Sequence, residues 1–137
     1  MFYPNSNRSK RWEQIKQTMD EWRESHAESK VWNNSLRRYV IIRHRSVSET
    51  AYWGSKTPAS AALISGHFNE IMRYAVRTSE EALPHSGNSK GFTSLIFLER
   101  KVEGIGTAKL TVGVCPDGEL VQYCMTAVQP FGAVAVA

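Results

Sequence analysis

The chain has 137 residues, enough for one domain spanning 1–137 with its own core and a poor length for two. Its composition, 42% apolar and 22% charged with four Trp, five Tyr and five Phe, is that of a globular protein and argues against global disorder. The net charge of +4 is uneven, because residues 1–45 carry ten Lys/Arg against five Asp/Glu while residues 46–137 carry seven against eight.

Within the basic part, Lys30, Arg37, Arg38, Arg43 and Arg45 follow one another without a carboxylate. Such a field attracts a phosphate backbone or an acidic protein; it is also what a plain solvated strand face carries. Cys115 and Cys124 are too sparse and too close in sequence for a disulfide framework or a zinc site, so they read as reduced thiols. The opening MFYPNSNRSKRW lacks a signal-peptide core, and no run approaches the roughly 20 apolar residues of a membrane helix. The expectation is a cytoplasmic protein with no membrane association.

In chain order, Ser6 and Asn7 are N-cap candidates. Trp12, Ile15, Met19, Trp22 and His26 then recur at helical spacing, which predicts a helix over 8–29 with one apolar stripe. After a break at Trp32–Ser35, the β-branched run 36–47 predicts a strand. Strict alternation would put Arg37, Tyr39, Ile41 and Arg43 on one face and Arg38, Val40, Ile42 and His44 on the other, with arginine at an end of each.

Thr57-Pro58 is an N-cap followed by proline at the first helical position, and Ile64, Phe68, Ile71 and Ala75 continue the period over 58–77. Gly66 in its middle suggests a kink, a close contact, or two short helices with Ser65 as a cap between them. Residues 78–91 predict a loop with at most one helical turn. From Phe92 to Val128 the pattern is a three-stranded antiparallel meander, with Pro116-Asp117-Gly118 closing its last hairpin. The expected class is α+β, N-terminal helices packed on a twisted, mainly antiparallel sheet of four to five strands. The apolar tail 131–137 would add an edge strand, pack on the core, or serve as an interface, which leaves a homo-oligomer open.

On the last strand, alternation places Val121, Tyr123 and Met125 on one side and Leu120, Gln122, Cys124 and Thr126 on the other. With Met125 inside, Gln122 and Thr126 would share an open face with Lys109 and Thr111, a set able to hold a phosphate and equally ordinary for a solvated sheet. His26, His44, His67 and His85 lack a metal-ligand spacing, so no metal is expected. Fingerprints of serine hydrolases, zinc proteases and nucleotide-binding loops are absent, so no cofactor is expected either.

Chemistry that needs no cofactor remains, and RNA cleavage is the leading case because the substrate's own 2′-hydroxyl is the nucleophile. In that reading His67 is the acid/base. Arg43, Lys90 or Lys109 would stabilise the developing charge, Thr126 would donate a hydrogen bond, and Arg37, Arg38, Arg43, His44, Arg45 and Gln122 would hold the nucleic acid. The alternative for His67 is a half-buried helix histidine beside Leu63 and Ile71.

A strand, a helix bearing Ser65-Gly-His-Phe-Asn-Glu-Ile-Met72, a proline-containing loop and a meander ending in Gln122-Tyr-Cys-Met-Thr126 resemble, over about 40–130, the phage-associated branch of the barnase, EndoU and colicin-like nuclease superfamily. The resemblance implies a metal-independent endoribonuclease acting as a toxin or effector. It puts His67 in the place of the helix-borne histidine and Thr126 in that of the hydroxyl near the end of the last strand. The chain departs from the two-histidine arrangement of EndoU-type members, since neither His44 nor His85 is placed beside His67. The competing expectation is a small non-catalytic phage-type protein that binds and inhibits a nucleic-acid-handling complex; a structural or assembly subunit is a third.

Overall fold

A computed structural model describes residues 4–84 and 91–128. Helix α1 runs Pro4–Ser25, earlier at both ends than the periodicity alone gives, so positions 6 and 7 lie within its first turn and not before it. Ile15, Met19 and Trp22 of the apolar stripe are buried, whereas Trp12 is exposed and His26 half-buried against the Trp22 ring at 3.9 Å. The chain leaves α1 through a 3₁₀ turn, Ala27–Ser29, in which Glu28 and Ser29 take positive φ.

Two expectations fail in the next segment. The break expected at Trp32–Ser35 begins inside a strand, β1 (Lys30–Asn33), which forms a hairpin with β2 (Arg38–Ile41). The strand expected over 36–47 ends at Ile41, and His44–Gly54 is a second helix, α2. Ser46 closes its first turn by accepting a hydrogen bond from the Arg43 backbone N–H at 2.9 Å. The buried positions of α2 are Ser46, Val47, Thr50, Ala51 and Gly54, a helical stripe of mostly small side chains. A Cβ built on Gly54 would lie 2.4 Å from Ile64 Cδ1, so glycine lets α2 approach its neighbours closely.

Helix α3 (Pro58–Tyr74) starts as expected, with Thr57 Oγ1 accepting from Ser60 N–H at 3.1 Å. It ends before residue 77 and is kinked at His67, where φ is −138° and ψ 19°. Gly66 makes no close contact, so the kink, not packing, is its structural setting. Residues 78–91 do not form the expected loop throughout, because Val76–Ala82 is a strand, β3, exposed along its whole length. The meander follows as read: β4 (Ser94–Val102), β5 (Gly106–Val114) and β6 (Leu120–Ala127), with Gly118 at φ 91° in the last turn.

The fold is α+β with a six-stranded mixed sheet in the order β1-β2-β6-β5-β4-β3. All neighbours are antiparallel except β2 and β6, which meet at Ile41 and Val121. The extra strands beyond the expected four to five are β1 and β3, one at each edge. Helices α2 and α3 cover one face, and α1 packs across them. The sheet curls, so that Ser35 in the β1–β2 turn accepts a hydrogen bond from Arg77 N–H at the start of β3. Asn33, fully buried, donates to the Met72 and Ala75 carbonyls at the end of α3.

Strict alternation also fails on β6. Thr111 faces Cys124 but Val112 faces Gln122, so Tyr123 is an extra residue in a bulge. The inward row is therefore Leu120, Gln122, Met125 and Ala127, set against core residues Val112, Leu110 and Ala108 of β5. Val121, Cys124 and Thr126 face outward. On that outer face Phe92 lies over Gly113, where a built Cβ would meet its ring at 2.4 Å.

Gly113→Ala should lower stability by about 1–3 kcal/mol through overpacking, although alanine otherwise strengthens a strand interior. The penalty should shrink in a Phe92→Leu background. Urea unfolding of the four chains checks both; equal stability of wild type and Gly113→Ala would contradict this packing.

Candidate functional site

The residues singled out in the sequence fall into three places. His67 lies on α3 with a half-exposed side chain, and its Nδ1 is 3.2 Å from Glu70 Oε1. Glu70 is three residues on, one helical turn away, and its Oε2 accepts from Arg100 Nε at 3.0 Å, with Nη2 of the same guanidinium 2.9 Å away in an ion pair. The Arg100 guanidinium also sits 5.4 Å from the centre of the Tyr74 ring. A ring, a carboxylate and a guanidinium are thus joined in one chain where α3 crosses β4.

Arg100 holds the Glu70 carboxyl below the usual carboxylate range, and the His67 hydrogen bond adds to the effect. An ionised carboxylate has no proton to give, so the His67 contact requires Nδ1 to be the donor. The neutral ring then carries its basic lone pair on Nε2, away from Glu70.

Lys109 and Thr126 are direct cross-strand partners, as the predicted phosphate site needs, but on the outer face. Arg100 pairs with Ala108, whose side chain is in the core, and Lys109 is the next residue, pointing the opposite way. The sheet itself separates Lys109 and Thr126 from His67, and the expected constellation does not assemble. Lys109 Nζ lies 4.7 Å from the Phe97 ring centre and lines an open groove of about 690 Å³ with Thr126, Ser79, Glu81 and Glu99. Two carboxylates against one ammonium make a poor anion cradle. Lys90 and His85 lie outside the described residues, as does the 131–137 tail.

The basic segment is dispersed over the β1–β2 end. Arg37 is exposed at the hairpin turn with φ 55°. Arg38 Nη2 donates to the Gly118 carbonyl at 2.6 Å, and Arg43 forms an ion pair with Glu119. His44 opens α2 and is exposed. Arg45 lies over the rings of Phe92 and Tyr123, at 5.1 and 5.7 Å. Gln122 is unavailable to a ligand: it is fully buried, and its Nε2 donates to Thr50 Oγ1 at 2.8 Å, tying β6 to α2. Burial raises the Cys115 thiol above its usual range, against the opposing pull of Arg43. Tyr123 is raised by burial and by Glu49.

Glu70 and Tyr74 were accessible in principle, since they repeat from His67 at helical spacing; Arg100 joins them only through tertiary structure. Among the described residues no three His, Cys, Asp or Glu side chains gather as a metal-binding cluster. No described helix is long and apolar enough to cross a membrane. No family model, no curated protein and no solved structure matches the chain.

In an Arg100→Met variant the Glu70 carboxyl should titrate closer to its ordinary value of about 4.3. Because its folded value is depressed in the wild type, ionised Glu70 contributes stability above that ordinary value. The contribution disappears as pH falls through the folded value. The variant should lose less stability on acidification, read by carboxyl NMR titration and by unfolding at several pH values; an unchanged Glu70 titration would refute the Arg100 clamp.

Proposed function

We propose that the protein is a metal-independent endoribonuclease-like toxin or phage effector, in keeping with the sequence resemblance to the barnase, EndoU and colicin-like nucleases. The observation that carries this reading is the oriented imidazole. Glu70 fixes the tautomer of His67, and Arg100 fixes Glu70, so the outward Nε2 is positioned as a general base. This is the arrangement that 2′-hydroxyl activation requires.

In the step, Nε2 takes the 2′-hydroxyl proton as that oxygen bonds to the adjacent phosphorus. The bond from phosphorus to the 5′-oxygen breaks, and the imidazolium returns the proton to the departing oxygen. The products are a 2′,3′-cyclic phosphate and a 5′-hydroxyl, with no net proton exchange. Arg100 spends Nε and Nη2 on Glu70 and keeps its remaining N–H donors for the phosphate oxygens. Lys109 and Thr126, on the other face, have no part in this step.

Unstructured RNA incubated with the purified chain in EDTA should yield fragments ending in cyclic phosphate. His67→Ala should reduce the rate by roughly 10²–10⁴-fold. Gel and mass analysis of the ends decide it. Intact RNA after prolonged incubation rejects the reading, and a salt-sensitive gel shift without cleavage would favour the non-catalytic binder expected as the rival.

A further inference from the structure

We infer that the outer face of the β1–β2 hairpin is a docking surface for single-stranded RNA, a proposal that rests on the RNA reading above but uses different residues. Trp32 and Tyr39 are cross-strand partners, 40% and 52% exposed, with ring centroids 5.2 Å apart in an edge-to-face pair. Their chain neighbours Val31 and Val40 are buried in the core, so the two rings stand on a fixed base. Lys30 Nζ is 4.6 Å from the Tyr39 ring centre. Together with Arg37, Arg38 and Glu119 these side chains line an open groove of about 390 Å³.

The charge balance favours an anion. Glu119 is neutralised by Arg43 and Glu28 by Lys30, leaving Arg37 and Arg38 at the turn. Arg38 donates to a carbonyl there, so it keeps its full charge. A polymer with a π-face and a negative charge in every unit meets both features, and single-stranded nucleic acid is that polymer. A peptide adding to the sheet edge fits less well: β1 has four residues, and Glu28 and Ser29 with positive φ stop it from extending. A duplex hides its base faces and would meet only the cations.

The probe is a fluorescein-labelled 12-nucleotide 2′-O-methyl RNA, which lacks the nucleophile and stays intact, titrated with the full wild-type chain by anisotropy. Trp32→Ala with Tyr39→Ala should weaken binding roughly 5- to 100-fold. The paired Phe substitutions should bind close to wild type, and Arg37→Ala with Arg38→Ala should weaken binding and flatten its salt dependence. The same sequence as a duplex should bind more weakly than the single strand. The Ala variant loses a cross-strand ring pair and should melt lower than wild type, so circular dichroism at the assay temperature must show it folded.

Equal affinity of the Ala variant, equal affinity for duplex, no binding, or displacement of the RNA by polyglutamate with tighter affinity would each overturn the docking surface. The two proposals fail separately. Binding of the methylated RNA without cleavage of ordinary RNA leaves the surface standing and removes the nuclease; cleavage with an unchanged KM in the Ala variant does the reverse.

Discussion

The whole arrangement turns on one extra residue in β6. A strand alternates its side chains with period two, so a single insertion reverses every orientation beyond it. The bulge at Tyr123 lets Gln122 and Met125 both face the helices. Without it, Cys124 and Thr126 would replace Met125 and Ala127 against α3, and the core would gain a hydroxyl and lose one of its three thioethers. With it, Gln122 reaches Thr50 and ties α2 to β6, while Thr126 joins Lys109 outside. The partition of polar groups between the two faces is thus decided at one position.

That partition sorts the chemistry of the protein. On the helix side, Glu70 is shared by an imidazole and a guanidinium, and each partner gains from the other: the guanidinium keeps the carboxylate ionised, and the carboxylate fixes the ring's tautomer. On the outer side, cations rest against aromatic rings, Lys30 on Tyr39, Arg45 on Phe92 and Lys109 on Phe97. These contacts are modest in water, ~0.5–1 kcal/mol each when exposed.

How much of this could be read from residues alone depended on which physical signal each element carried. The meander was legible because alternation, β-branched residues and a Pro-Asp-Gly turn agree with one another. Helix α3 was legible from Thr57-Pro58 and its large apolar stripe. Helix α2 was not, because its buried stripe is Ser46, Val47, Thr50, Ala51 and Gly54. Small side chains carry no hydrophobic period, and Val47 extended the β-branched run of the strand before it. Strand β3 was hidden for the opposite reason: with every residue exposed, Arg-Thr-Ser-Glu-Glu reads as loop until β4 is there to pair with it. His67 lies on α3 as its spacing predicts, but Lys109 and Thr126 do not join it, since spacing cannot say on which side of a sheet they emerge.

The same exposed strand governs how copies of the molecule behave toward each other. The sheet ends at β3, so one side of its backbone has no neighbouring strand among the described residues. Glu80 and Glu81 stand there, Glu80 taking hydrogen bonds from Arg77 at 3.0 Å and Ser94 at 2.8 Å. Hydrated charge along an open border penalises the close approach that cross-molecular ladders need. Arg77, Glu80 and Glu81 thus keep this border from being a bare row of backbone donors and acceptors open to another strand.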